Sequence, residues 1–231
     1  EKDIEMCRKN IGFVHYRSKR HTEALDCYQQ NLAYAQRVGD KRSLAEALAN
    51  IATIQSEKGL QQAAITSNEQ VIIIAQELGA PHVVALCKGN LASIYYEIGQ
   101  TEKAIECHNE SIKILKALQM KEHIIIMLIQ QSSFMLGMIE ADREANMVLI
   151  EKIDQNLSEA VRYANEIKRP DFAADVEYLY WRANLLFNLP DEAEKHRLAA
   201  LNQLLEIGEE NLRIEQKQRI TELTTKIITP L

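Results

Sequence analysis

The chain is short of the two residues that most often interrupt helices. It has 8 Gly and 4 Pro among 231 residues, which leaves little material for the turns of a multi-stranded sheet. Ala, Leu, Ile, Glu, Gln and Lys dominate instead, and most of these residues favour helix. The composition therefore predicts an all-α protein.

Two classes of partner lack their usual signatures. No stretch approaches the roughly 18 uninterrupted apolar residues of a membrane span, and the strongest run, HIIIMLI at residues 123–129, fits a buried helix face. The net charge is −6, whereas a nucleic-acid track needs clustered Lys and Arg. We expect neither a nucleic-acid nor a membrane partner.

The cysteines lack the pairing of a zinc site. None of the four is in a Cys-x-x-Cys pair, and their positions differ by 80 residues in two couples, Cys7 with Cys87 and Cys27 with Cys107. Their spacing indicates two columns of a repeat that hold small, buried thiols in a reducing cytoplasm. We therefore expect a cytoplasmic protein without a metal.

Catalytic signatures are also missing. The six histidines form no His-Glu-x-x-His site, and no phosphate-binding glycine loop or Gly-x-Ser-x-Gly elbow occurs. We expect no enzyme and no cofactor. The aromatic cluster around Trp181 is compatible with a small-molecule pocket, although core packing is the favoured interpretation. The chain starts without Met, and we expect it to be a piece of a larger protein.

What the chain does contain is the same thirty-residue stretch three times, beginning at Lys9, Ala49 and Gly89. The shared columns hold an amide, a small residue, a glycine turn and an alanine: Asn10, Asn50 and Asn90; Gly12, Ala52 and Ala92; Lys19, Gly59 and Gly99; Ala24, Ala64 and Ala104. Small residues permit close helix approach, and glycine supplies the positive φ of a tight turn. Each copy is therefore predicted to be a helix, a turn and a second helix.

One helical hairpin cannot bury its own apolar face, so stacked copies are expected to form a right-handed α-solenoid. We predict a single domain over residues 1–231, with repeats at about 2–40, 41–80, 81–120, 121–169 and 170–208 and a last helix at about 210–228. The fourth copy carries about nine extra residues between 138 and 157, interpreted as an extended second helix or an elongated turn. In the fifth copy, Asp171 is a candidate cap for a first helix that starts at Pro170.

Copy three carries the clearest family resemblance. Leu91, Ala92, Tyr95, Gly99 and Ala104 stand where the tetratricopeptide repeat has its signature. The forty-residue period resembles the subgroup of kinesin light chains, spindle-orientation adaptors and bacterial peptide-pheromone receptors. The resemblance implies an interaction scaffold whose first helices line a concave groove.

In that arrangement the asparagine column faces the groove, and Gln130 continues it with the same amide chemistry. A primary amide both donates and accepts hydrogen bonds, so a ladder of amides can hold the backbone of a partner peptide. The alternative is that the amides bond between neighbouring helices. Further groove positions expected to add specificity are Lys9, Phe13, Tyr16, Arg17 and Tyr96.

Two functions remain open at this point. The first is an adaptor that binds an extended or helical segment of another protein in its groove. The second is a sensory or regulatory region that controls a further domain. The last helix places Ile220, Leu223 and Ile227 in a narrow apolar seam, which either caps the fifth copy, the favoured interpretation, or meets a second chain.

Overall fold

The computed structural model describes residues 2–207 and 211–225, and within these ranges the chain is helical with no strand. A short 3-10 turn, Met147–Leu149, precedes the ninth helix. The helices are α1 Lys2–Arg17, α2 His21–Val38, α3 Lys41–Glu57, α4 Gln61–Glu77, α5 Pro81–Glu97, α6 Thr101–Ala117, α7 Lys121–Ala141, α8 Arg143–Asn146, α9 Ile150–Glu166, α10 Pro170–Leu186, α11 Pro190–Ile207 and α12 Ile214–Thr225.

The helices form two compact units, residues 1–118 and 119–231. In the first unit, α1–α6 are three hairpins, and the second helix of each hairpin packs on the first helix of the next. Ala24 and Tyr28 of α2, for example, share a core cluster with Ile51 and Ile54 of α3. The predicted alanine column has the role expected of it, since Ala24, Ala64 and Ala104 are fully buried.

The turns of the first unit recur every twenty residues, each with one residue at positive φ. Glycine occupies four of them, and copy one holds Lys19 in the same conformation, with φ of 58°. The residue after each of these positions donates its backbone N–H to the carbonyl oxygen five residues earlier in the ending helix, as Leu60 does to Gln55 O at 2.8 Å. The predicted helix–turn–helix copies are confirmed.

The second unit begins with the longest helix, and here the prediction for the fourth copy needs correction. The extra residues lengthen the first helix, α7, to 21 residues and form the turn around α8, whereas the second helix, α9, keeps 17 residues. The elongated turn is thus correct and the extended second helix is wrong. The long apolar run explains this, because Ile124, Leu128, Met135 and Ile139 are buried along one continuous helix.

By length and composition, α7 is also apolar enough to cross a membrane. More than half of its most hydropathic window, 56 %, is buried inside the protein. Its contacts with α9 and α10 make it the core helix of the second unit, which agrees with the sequence interpretation of residues 123–129 as a buried face.

The last helix, α12, packs on the fifth copy. Gln216 donates to the backbone oxygen of Asp171 and to Asp175, both at 3.1 Å, and Arg213 and Arg219 pair with the same buried Asp175. Leu223 of the predicted seam is fully buried and Ile220 half-buried, while Ile227 lies outside the described residues. Capping, the favoured interpretation, is confirmed.

Two smaller predictions are wrong. Asp171 does not cap α10, because both of its carboxylate oxygens accept from the Arg169 guanidinium at 2.8 Å. Cys7 is exposed and Cys27 only half-buried, although Cys87 and Cys107 are buried as expected. Cys87 packs against α3 and α4 of the preceding copy, whereas no described helix covers the equivalent face of α1.

Trp181 is 1 % exposed in the core of the second unit, which agrees with the favoured interpretation of the aromatic cluster as core packing. Tyr178 and Trp181 also border a cavity of about 490 Å³, so the small-molecule pocket stays a prediction. The predicted fold class, an all-α solenoid of stacked helix pairs, is confirmed. The single domain over residues 1–231 stays a prediction.

Candidate functional site

The first helices of the three copies in the first unit present one common surface, which we call the groove face. Side chains connect α1 to α3 directly: Lys9 Nζ lies 2.9 Å from Glu46 Oε2, and the Tyr16 hydroxyl donates to Glu57 at 2.5 Å. Thr53 of α3 and Asn90 of α5 line a common cavity. The groove face therefore consists of α1, α3 and α5.

The asparagine column lies on the groove face. Asn10 and Asn90 are exposed, and Asn50 is half-buried. Among the residues that the structure describes, none accepts from or donates to the side-chain amides of these three residues. These amides therefore form no hydrogen bond between neighbouring helices within the described residues, which was the alternative interpretation. Each amide keeps a free donor and a free acceptor.

Two of the three asparagines line cavities between successive copies. Asn50 borders a cavity of about 530 Å³ whose walls include Lys9, Glu46 and Tyr28. Asn90 borders a smaller cavity of about 130 Å³ between α3 and α5. A side chain that enters either cavity from the groove face meets an unpaired amide at its border.

Two candidates of copy one, Lys9 and Tyr16, are already engaged with α3. The Lys9–Glu46 pair is exposed on both sides, so water and ligands compete for it. Burial, together with the hydrogen bond to the Glu57 carboxylate, raises the pKa of Tyr16 to about 12. Tyr16 is therefore a neutral donor that fixes Glu57, and it positions α1 on α3.

The remaining candidates of copy one face solvent. Phe13 is 55 % exposed, and Arg17 is exposed without an ion-pair partner among the described residues. Tyr96 of copy three is half-buried. An exposed aromatic ring and an unpaired guanidinium on one helix provide an apolar contact and a cationic contact for a ligand.

Gln130 belongs to α7 in the second unit, so it is described separately. It is half-buried, and its amide has no hydrogen-bond partner among the described residues. Its neighbour Gln131 is buried and accepts from Asn156 at 2.9 Å. Gln131 is thus a structural amide, whereas the amide of Gln130 stays available.

Sequence reasoning placed Glu57 on the groove but missed two residues that shape the groove face, Glu46 and Asn68. Glu46 and Glu57 fix the two engaged side chains of copy one, and Asn68 of α4 reaches the floor of the cavity beside Asn90. The repeat pattern contains a signal for Asn68. One buried column holds Tyr28, Asn68 and His108, so the side chain at this position is polar but chemically different in each copy. Among the described residues, no three His, Cys, Asp or Glu side chains gather as a metal site would require.

Tandem helical hairpins with a common exposed face define a class of protein, the α-helical repeat scaffolds. Family models described as tetratricopeptide repeat match residues 5–77 and 87–114. No curated protein matches the chain in sequence.

Solved structures of several helical-repeat proteins resemble the fold. A putative kinesin light chain with nearly identical TPR-like repeats from Podosopora anserina is 14 % identical, with a TM-score of 0.68 over 88 % of this chain and 96 % of that chain. Aspartyl phosphate phosphatase F from Bacillus subtilis is 12 % identical, with a TM-score of 0.70 over 97 % of this chain and 61 % of that chain. BtubC from P. vanneervenii is 17 % identical, with a TM-score of 0.65 over 86 % and 81 %.

Residues 5–77 and 87–114 therefore match the tetratricopeptide repeat in sequence, and the helical hairpins of the fold agree with that match. Repeats of this family generally act as non-enzymatic modules for protein interaction. At the identities found, the solved structures establish the fold alone.

Proposed function

We propose that this protein is a protein–protein interaction module whose groove face binds an extended segment of a partner protein. The observation that supports it is the row of Asn10, Asn50 and Asn90, three amides on one face that have no partner among the described residues. These exposed or half-buried amides recur at one repeat position, and their donors and acceptors stay available to a ligand.

The chemistry of the row fits a peptide backbone. Each amide donates to a carbonyl oxygen and accepts from an N–H, so one asparagine serves a peptide unit whatever side chain it carries. Specificity then comes from the neighbours, since Phe13 offers an apolar surface and Arg17 a cation. Gln130 is part of the proposed set through its free amide, but the ladder itself rests on the first unit.

The proposal includes the kind of partner and the compartment. The excess of acidic residues supports a protein partner over nucleic acid, and the burial of α7 in the second unit supports a protein that needs no bilayer. Four free thiols, two of them buried, support a reducing compartment, and we place the protein in the cytoplasm on this basis.

The decisive experiment removes the three amides together. A pool of blocked random hexapeptides is titrated against the wild type and the Asn10→Ala, Asn50→Ala, Asn90→Ala triple variant. Each lost neutral hydrogen bond costs about 0.5–1.5 kcal/mol, so binding should weaken by about tenfold to a thousandfold. The melting temperature should stay nearly constant, because these side chains build no core.

A second triple variant provides the matched control. Gln36→Ala, Gln70→Ala and Gln76→Ala remove three exposed amides from α2 and α4, outside the groove face, and should leave peptide binding unchanged. Equal binding by the wild type and the asparagine variant would refute the proposed ladder. An early melt of the asparagine variant would show that the amides support the fold.

In the regulatory alternative the repeat region controls a further domain, and the last helix would be the linker to it. Instead, Gln216 and Leu223 are buried in the second unit, and Arg197 of α11 donates to the backbone oxygen of Leu223 at 2.8 Å. These contacts give α12 a role within its own unit. They support the simpler interaction module.

A further inference from the structure

The cavity beside Asn90 differs from the rest of the groove face in its chemistry. It has a volume of about 130 Å³ and lies between α3 and α5, with α4 beneath it. Its apolar walls are Ala52 and Ile94. Its polar lining consists of hydroxyl, amide and carboxylate groups from Thr53, Ser56, Glu57, Asn68, Asn90 and Ser93. Within the part of the chain that the structure describes, no Lys or Arg lines it.

Asn68 at the floor of this cavity has an unused acceptor. The residue is 1 % exposed, and its Nδ2 donates to the Ala64 carbonyl oxygen at 2.9 Å, one helical turn earlier. That bond fixes the amide, and Oδ1 has no hydrogen-bond partner among the described residues. A buried acceptor without a partner is unfavourable, so a donor from outside the protein is favoured at this position.

The other polar groups around the cavity also present acceptors. The hydroxyl of Thr53 donates to Ala49 O at 3.1 Å and that of Ser93 to Gly89 O at 3.4 Å, so their protons are directed into the helices. Glu57 adds a carboxylate. Its neighbours are the Tyr16 hydroxyl at 2.5 Å, His21 Nε2 at 3.5 Å and Lys19 Nζ at 3.8 Å, and the Lys19 side chain is 77 % exposed.

We propose that this cavity is a subsite for a guanidinium group, the side chain of an arginine in the partner segment. The inference rests on the proposed function and adds to it the chemistry of one partner residue. A guanidinium carries five N–H donors in a plane and a positive charge, which matches several acceptors at different positions and the Glu57 carboxylate. It is weakly hydrated, so its faces tolerate the apolar walls better than an ammonium group would.

The size of the cavity agrees with this occupant. One water molecule occupies about 30 Å³ of liquid, so about 130 Å³ exceeds a single water site and accommodates a planar head group. Asn90 connects the subsite to the proposed ladder, because it borders the cavity and is exposed on the groove face. An arginine whose backbone pairs with Asn90 therefore has its side chain directed toward Asn68.

The first test uses a single residue as the probe. N-acetyl-arginine amide and its neutral counterpart, N-acetyl-citrulline amide, are titrated against the full chain while the side-chain amide signals of Asn68 and Asn90 are followed by NMR. The arginine probe should shift both signals and bind at least tenfold more tightly than citrulline. Glu57→Gln should weaken the arginine probe about fivefold or more without affecting citrulline. Asn68→Ala should also weaken the arginine probe about fivefold or more, and it should weaken any citrulline binding too, because the ureido group of citrulline keeps N–H donors.

Glu77→Gln is the matched control, because it removes one ion-paired carboxylate from the same copy outside the cavity and should change nothing. If the two probes bind equally, or if neither shifts the Asn68 signal, the guanidinium subsite is refuted. Peptide pools with a fixed central arginine or citrulline separate this result from a failure of the ladder. Loss of the asparagine ladder weakens both pools, whereas Glu57→Gln weakens the arginine pool alone.

Discussion

At the scale of single residues, the copies differ where two side chains compete for one space. Gly12 sits at the small-residue column, and a methyl group built on it would lie 2.8 Å from Cε1 of the Tyr28 ring and 3.1 Å from Cys27 Cβ. Copies two and three hold alanine at this position and the smaller Asn68 and His108 opposite it. The glycine of copy one therefore compensates for a tyrosine in the neighbouring helix.

We expect Gly12→Ala to destabilise the protein although alanine is the better helix former. The helix gains about 0.5–1 kcal/mol, whereas overpacking against the buried ring typically costs about 1–3 kcal/mol. Urea unfolding should therefore show a net loss of about 1–2 kcal/mol. In a Tyr28→Leu background the ring is absent, and the same change should become neutral or stabilising. Destabilisation of equal size in both backgrounds would contradict this account.

At the scale of helices and turns, the sequence predicts most of the architecture because one glycine turn recurs along the chain. Gly39, Gly59, Gly79 and Gly99 mark the helix ends, and all four have positive φ. Lys168 and Asn188 adopt the same conformation without glycine, so composition alone does not reveal them. The lengthening of α7 was likewise unpredictable, because an added helical turn and an added loop have similar local sequences.

Replacing Lys168 by glycine should stabilise the second unit. A non-glycine residue in the left-handed region costs about 1–2 kcal/mol, and glycine costs about 0.5–1 kcal/mol in unfolded-chain entropy. The net gain should be about 0.5–1 kcal/mol, measured by urea unfolding. Lys168→Ala keeps the Cβ atom and should give no gain. If both variants gain equally, removal of the lysine side chain is responsible and backbone strain is not.

The candidate site divides in the same way between predictable and unpredictable parts. The asparagine column follows from the period, because one position is repeated in three copies. The engagement of Tyr16 by Glu57 joins residues 41 positions apart on different helices, and the cavity floor at Asn68 belongs to a helix outside the column. Such contacts depend on how copies pack, which a repeat pattern does not specify.

At the scale of the whole molecule, the first and last helices differ in how far their apolar side chains are exposed. Ile4, Ile11 and Val14 of α1 are each more than half exposed. By contrast, α12 buries Leu223 completely and exposes polar residues such as Lys217 and Gln218, which is the behaviour of a solvating cap on a repeat array. The two units thus differ in whether a described helix covers the apolar side of their outermost repeat.

The cap predicts how the chain behaves in solution when its central contact is lost. Leu223→Asp places a carboxylate at a position with no solvent exposure, and loss of the leucine alone removes about 1.5–3 kcal/mol of apolar burial. In this variant the α12 segment should therefore detach, and its backbone amides should exchange hydrogen rapidly. The wild type should sediment as a monomer, because Leu223 is buried within its own chain. Gln218→Asp, on the exposed side of the same helix, should retain slow exchange. A wild-type dimer that dissociates on Leu223→Asp would contradict the cap, because Leu223 would then belong to a contact between two chains. The ion pairs of Arg213 and Arg219 with Asp175 would in that case form only as part of the dimer.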